Sequence, residues 1–267
     1  MATGPLALSA RGVRMEYRDR KADTALVAIE EMDLDVGDGE FVSLLGPSGC
    51  GKSTFLKIVN GLLLSSAGEI KLRTVAKGRE DAMVFQDAAL FPWYSVLDNV
   101  AYGLVCAGVA RDEARKRAMP FIDLVGIGGF EHKYPYQLSG GMQQRANLAR
   151  ALTVDASILL MDEPFAALDA QTREVMQSEL LRIWNAARKT VIFVTHQIDE
   201  AVYLSDRVVV MSARPGRILA DIPIDLGRPR ELDVKRSPEF ASYESQIWKL
   251  LASQHQRPAI GSPSAEA

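Results

Sequence analysis

The chain has 267 residues, 48% hydrophobic and 24% charged, with 31 Lys and Arg against 34 Asp and Glu for a net charge of -3. That balance belongs to a globular protein of one or two domains and excludes a disordered, collagen-like or small disulfide-stapled chain. The slight acidity argues against a protein that grips nucleic acid by its phosphates, and the longest stretch free of Asp, Glu, Lys and Arg, Asn99 to Ala110, is 12 residues, short of the roughly 20 that a membrane-spanning helix needs. The start, MATGPLALSAR, lacks the basic region and long apolar core of a secretory signal. Two cysteines, Cys50 and Cys106, make no disulfide framework, so a reducing compartment is expected.

In chain order, the first clear element is Phe41-Val-Ser-Leu-Leu45, an apolar run stopped by Gly46 and Pro47 and read as a buried strand. The stretch Gly46-Pro47-Ser48-Gly49-Cys50-Gly51-Lys52-Ser53-Thr54 fits G-x-x-x-x-G-K-[ST]. Its glycines let the backbone curl so that successive N–H groups face phosphate oxygens. A helix opening near Lys52, expected over residues 52–63, adds the positive end of its dipole. In such a loop Lys52 reaches the β- and γ-phosphates and the Ser53 hydroxyl binds Mg2+. The plain competitor is a chance glycine-rich turn, which the strand before and the helix after disfavour. Cys50 reads as a tolerated small residue rather than a redox-sensitive thiol.

Ala82-Met-Val-Phe85 is a second candidate strand, and residues 98–124 alternate apolar and charged positions at helical spacing. The basic run at 111–117 reads as a solvated helix face. Leu138-Ser139-Gly140-Gly141 opens another helical pattern that reaches Leu152. Ser139 suits a helix cap, and the two glycines free N–H groups for a second anion site; a simple cap explains the same residues. Ile158 to Met161 and Val191 to Val194 read as strands covered on both faces, with a helix over 172–188 between them, which is α/β logic. Asp162 and Glu163 follow the first of these strands. There a carboxylate points into the crevice of a parallel sheet: Asp162 can hold Mg2+ through water, and Glu163 can activate a water against the γ-phosphate. An ordinary turn is the competing reading. A hairpin around Arg214-Pro215-Gly216 and a last helix over 237–253 follow, and residues 256–267 are expected to be disordered.

These motifs, together with Gln86 in Val-Phe-Gln-Asp, Ala167-Leu168-Asp169 and His196 in Val-Thr-His-Gln, stand in an order and spacing that resembles the ATP-binding cassette family of transport ATPases. The resemblance covers residues 6–230. It implies an α/β fold, a P-loop NTPase cassette with a RecA-like core, a helical subdomain at about 95–155 and an antiparallel β subdomain. A C-terminal helical extension over 231–255 and the tail 256–267 would follow. ATP binding is implied for Tyr17, stacked on adenine, and for Gly46, Pro47, Ser48, Gly49, Cys50, Gly51, Lys52, Ser53 and Thr54. Mg2+ is implied at Ser53, Gln86 and Asp162, and catalysis at Lys52, Glu163 and His196, with His196 on the γ-phosphate. Ser139, Gly140, Gly141 and Gln144 would serve the ATP of a second subunit, and Asp169 would organise the interface of a head-to-tail homodimer.

Finer stretches are similar to the bacterial importer ATPases for nitrate, taurine and alkanesulfonates: Leu90-Phe-Pro-Trp93, Leu138 to Arg145, Asp199 to Arg207, Ser212 to Arg217 and Leu226 to Arg230. The implied partners are transmembrane permease subunits and a periplasmic or lipid-anchored solute-binding protein, with no nucleic acid. The implied place is the cytoplasmic face of the inner membrane. The segment from Gly68 to Met83 is shorter than the family's usual strand-turn-strand. A soluble cassette ATPase acting on nucleic acid or ribosomes would show a coiled-coil insertion or a second cassette. A P-loop kinase or GTPase has no use for Leu138-Ser-Gly-Gly, and a non-catalytic nucleotide-binding regulator would lack Glu163 or Ser139.

Overall fold

The computed structural model describes residues 5–19, 24–73 and 81–255. The elements run β1 (Leu6–Asp19), β2 (Thr24–Gly37), β3 (Phe41–Leu45), α1 (Lys52–Val59), β4 (Ala67–Leu72), β5 (Asp81–Val84), α2 (Val96–Cys106), α3 (Arg111–Leu124), α4 (Gly140–Thr153), β6 (Ile158–Asp162), α5 (Ala170–Ala187), β7 (Thr190–Thr195), α6 (Ile198–Leu204), β8 (Arg207–Met211), β9 (Gly216–Pro223) and α7 (Pro238–His255). The strands lie in one sheet in the order β4-β1-β2-β9-β8-β3-β7-β6-β5.

Strands β8, β3, β7, β6 and β5 are parallel to one another. Every residue of β3, β6 and β7 is buried, because helices cover both faces and an alternating polar residue would have nowhere to go. Phe41 and Leu45 of β3 join one apolar cluster, while Val42 and Leu44 join the other. Strands β1, β2 and β4 are antiparallel, and β9 links them to the core, antiparallel to β8 and parallel to β2. Helices α2, α3 and α4 pack on one another beside the sheet. Because the core strands are parallel, their C-terminal ends share one edge, and the loops after β3, β5, β6 and β7 emerge there together.

Two sequence expectations are corrected here, and one pair of strands is new. Helix α1 ends at Val59, not near 63: Gly61 turns left-handed (φ 77°) and the Leu63 N–H bonds back to Lys57 O at 3.1 Å. The pattern over 98–124 is two helices, α2 and α3, parted where Gly108 takes φ 85°. Strands β1 and β2 were not legible individually, because a register shift between Ala10 and Val13 flips the phase of the buried positions from Leu8 and Ala10 to Val13 and Met15. The tail 256–267 and residues 74–80 of the short link lie outside the described residues.

Candidate active site

The phosphate loop joins β3 to α1. Gly49 and Gly51 have φ of 75° and 101°, which side chains with a Cβ rarely adopt. A Cβ on Gly51 would also meet Ile29 Cγ1 at 2.8 Å and Ala28 O at 3.0 Å, so the loop is pressed against β2. Helix α1 has no side-chain cap, which leaves its first N–H groups to whatever lies in the loop. Lys52 is buried and its Nζ donates to Gly46 O at 2.7 Å and Pro47 O at 3.0 Å, the carbonyls of its own loop. The Cys50 side chain packs into the core instead of the loop's hollow, and burial pushes its thiol up, away from the reactive thiolate.

One sheet edge brings the remaining groups alongside. The Ser53 hydroxyl donates to Asp162 Oδ1 at 2.7 Å. Burial raises the Asp162 carboxyl from its ordinary value, and the bond from Ser53 works against that. Glu163 stands just past β6 with φ 46°, tied by its N–H to Val194 O of β7 at 3.0 Å. Backbone strain of this kind gathers at functional sites. It turns the Glu163 side chain toward the end of β7, where His196 Nδ1 lies 3.0 Å from Glu163 Oε2. A hollow of about 330 Å³ is lined by Ser48, Gly49, Lys52, Ser53, Thr54, Gln86 and Glu163, and by Tyr17, Leu26 and Ala28 from the antiparallel side. Gly46 and Pro47, with Ser48, border a separate apolar hollow beside His196 and Trp248.

Ser139, Gly140 and Gly141 are not in that cluster. Ser139 caps α4, its hydroxyl accepting from the Met142 N–H at 3.3 Å, and a Cβ on Gly140 would meet nothing within 4 Å. The loop is open on its outer side. Asp169 caps α5 by accepting from the Thr172 N–H at 2.9 Å, which holds its carboxyl below the usual range. Gln144 departs from expectation. Four residues into α4 it faces inward, buried, with Nε2 donating to Phe85 O at 3.2 Å in its own chain, so it is not an outward contact.

Sequence reasoning missed several supporting groups. Arg214 Nε donates to Gly49 O at 3.2 Å and closes the phosphate loop from outside. Asn147 joins Gln144 on Phe85 O, while Arg150 holds Ala88 O and Ala89 O, so α4 fixes the loop that carries Gln86. Arg214 was visible inside Ser212-Ala-Arg-Pro-Gly-Arg217, but nothing local tied it to a glycine 165 positions away.

Comparison with known proteins follows the same lines. A family model described as ABC transporter matches residues 29–166. An uncharacterised ABC transporter ATP-binding protein of Methanocaldococcus jannaschii is 51% identical over 227 residues, 84% of each chain. A taurine import ATP-binding protein of Rhizobium johnstonii is 46% identical over 234 residues, 85% of this chain and 89% of that one. A solved dimeric ATP-binding cassette in a post-hydrolysis state, bound to ADP and Pi, superposes with a TM-score of 0.74 at 30% identity, covering 82% of this chain and all of that one.

Proposed function

The chain belongs to the ABC transporter family as an ATP-hydrolysing subunit of its importer branch, and from that premise we propose the roles of its residues and its task. The protein energises uptake of a small anionic solute of the nitrate, sulfonate or taurine kind through separate permease subunits fed by a solute-binding protein. The relatives named for taurine import support the solute class. Among the described residues no helix is long and apolar enough to cross a membrane, in keeping with a peripheral subunit on the cytoplasmic face of the inner membrane. The hollow of about 600 Å³ lined by Phe85, Ala89, Phe91, Tyr102 and Arg150, next to the exposed Trp93, is the seat for a permease segment. It adjoins the Gln86 loop, so a shift at the nucleotide reaches the permease.

The observation that carries the reading is the meeting of Lys52, Ser53, Asp162, Glu163 and His196 at one sheet edge. The loop's N–H groups and Lys52 hold the β- and γ-phosphates, and Tyr17 stacks on adenine. Ser53, Asp162 and Gln86 offer oxygen donors alone, the set that suits Mg2+. When bound, Mg2+ would neutralise charge developing between the β- and γ-phosphates. Glu163 Oε2, oriented by His196, takes the proton of the attacking water as its oxygen adds to the γ-phosphorus. The bond to the β–γ bridging oxygen breaks, giving ADP and phosphate.

The exposed Ser139 and Gly140, with the half-buried Gly141, are the missing half of a site, and a head-to-tail homodimer completes it on a second subunit's ATP. Mixing Lys52→Ala with Gly141→Asp tests this. Each pure variant should be inactive, since one lacks the counter-charge and the other sets a carboxylate against the γ-phosphate. A mixed dimer holds one doubly damaged and one intact site, so ATPase activity should return on mixing. A stable, fully active Gly141→Asp protein would refute the shared site.

A further inference from the structure

We propose that Arg173 and Glu200 are positioning residues that lock the His196 loop and the Asp169 loop into one unit; this rests on the reading of His196 and Asp169 given above. Arg173 lies in the first turn of α5. One of its terminal nitrogens donates to Leu168 O at 2.8 Å and the other to Gln197 Oε1 at 3.0 Å. Leu168 immediately precedes Asp169, and Gln197 immediately follows His196. A single planar guanidinium therefore ties the two loops at a fixed spacing, which the point charge of a lysine cannot do.

Glu200 holds the other side of the same loop. It is 3% exposed. Its Oε2 accepts from Thr195 Oγ1 at 2.6 Å and its Oε1 from Gln177 Nε2 at 3.1 Å. Thr195 Oγ1 in turn accepts from the Gln197 N–H at 3.0 Å. His196 thus sits between two residues that are both pinned, Thr195 by Glu200 and Gln197 by Arg173. Arg173 Nε, buried without a hydrogen-bond partner, lies 3.7 Å from Glu200 Oε1, so the cation faces the carboxylate directly. A third arm comes from the segment before α7: Lys235 Nζ donates to Gln177 Oε1 at 2.9 Å and to Asp199 Oδ2 at 3.3 Å. That segment therefore holds Gln177, the residue that bonds Glu200.

Misplacing a reacting group by about 1 Å costs on the order of 100-fold in rate, and the 3.0 Å approach of His196 to Glu163 depends on where this loop stands. The test is steady-state ATP hydrolysis with thermal melting. Arg173→Ala should lower kcat about 10- to 100-fold while KM for ATP stays within about twofold. Arg173→Lys restores a cation to Glu200 but cannot span both loops, so it should recover the melting temperature and not kcat. Wild-type kcat in Arg173→Lys would overturn the proposal, because charge neutralisation would then be the whole role. If Arg173→Ala does not fold, Gln197→Met decides: a several-fold loss of kcat at unchanged KM supports the clamp, and wild-type kcat removes it. A fully active His196→Ala chain would overturn the reading of His196 and the proposal with it. An inactive His196→Ala beside a fully active Gln197→Met would overturn the proposal alone.

Discussion

Two glycine loops open helices in this molecule, one before α1 and one before α4, and their surroundings are opposite. The first is pressed against β2, closed by Arg214, and filled by Lys52 on its own carbonyls. Its helix has no side-chain cap. The second has a cap from Ser139 and open space beside Gly140. The same local chemistry thus yields an enclosed anion site in one place and an exposed helix end in the other. What separates them is the company they keep: residues at the ends of β3, β5 and β6 line the hollow of the first loop, while Gly140 of the second faces open space. An exposed helix end with a glycine-cleared approach becomes a site when another surface closes over it.

The largest effect that sharpens this contrast is expected from Glu163→Gln. Removing the proposed base should slow hydrolysis by about 100- to 10,000-fold and accumulate the proposed dimer with ATP bound. Amide hydrogen exchange then reads the two loops separately. Residues 49–54 should gain protection as soon as ATP binds, and residues 140–143 only at protein concentrations where the dimer forms. Protection of 140–143 by ATP in a monomeric sample would break the distinction.

Next in size is a pair of identical substitutions. Gly51→Ala forces a Cβ into a left-handed backbone and against Ile29 and Ala28, so it should cost about 1–3 kcal/mol of stability or more. Gly140→Ala meets nothing within 4 Å and should change stability by no more than about 0.5 kcal/mol. Denaturant unfolding of both chains checks this, and equal losses would show that the second loop is as tightly enclosed as the first.

A last pair of variants separates cap from site at Ser139. Ser139→Ala should cost about 1 kcal/mol through the lost cap. Ser139→Asp keeps a capping oxygen and should melt like the wild type, yet lose ATPase activity if it sets a carboxylate against the second subunit's nucleotide in the proposed dimer. Full activity in Ser139→Asp would reduce this residue to a cap.

Much of the active site was legible because it is written locally. A strand, a glycine pattern and Lys52 are contiguous, and Asp162 and Glu163 follow their strand directly. Where chain order gives no local signal, reading failed or fell silent. Gln144 looked like part of an outward motif, but it shares a helix face with the buried Asn147, Leu148 and Ala151, and that face turns to the core, where Phe85 O takes its amide. The β1–β2 pair was hidden by a bulge that breaks the alternation on which strand reading depends.

By itself the sequence determined the residue types and short spacings that make a phosphate loop, an acidic strand end and a capped glycine loop, because those depend on neighbours within a few positions. Tertiary structure decided which of them meet. The sheet order puts β7 between β3 and β6, and so sets His196 against Glu163 across 33 positions of sequence. It also brings Arg214 to Gly49 and Arg173 to Gln197, contacts that no local pattern encodes. The physical reason is that hydrogen bonds and ion pairs act over a few ångströms of space, and only the packed sheet converts sequence distance into that.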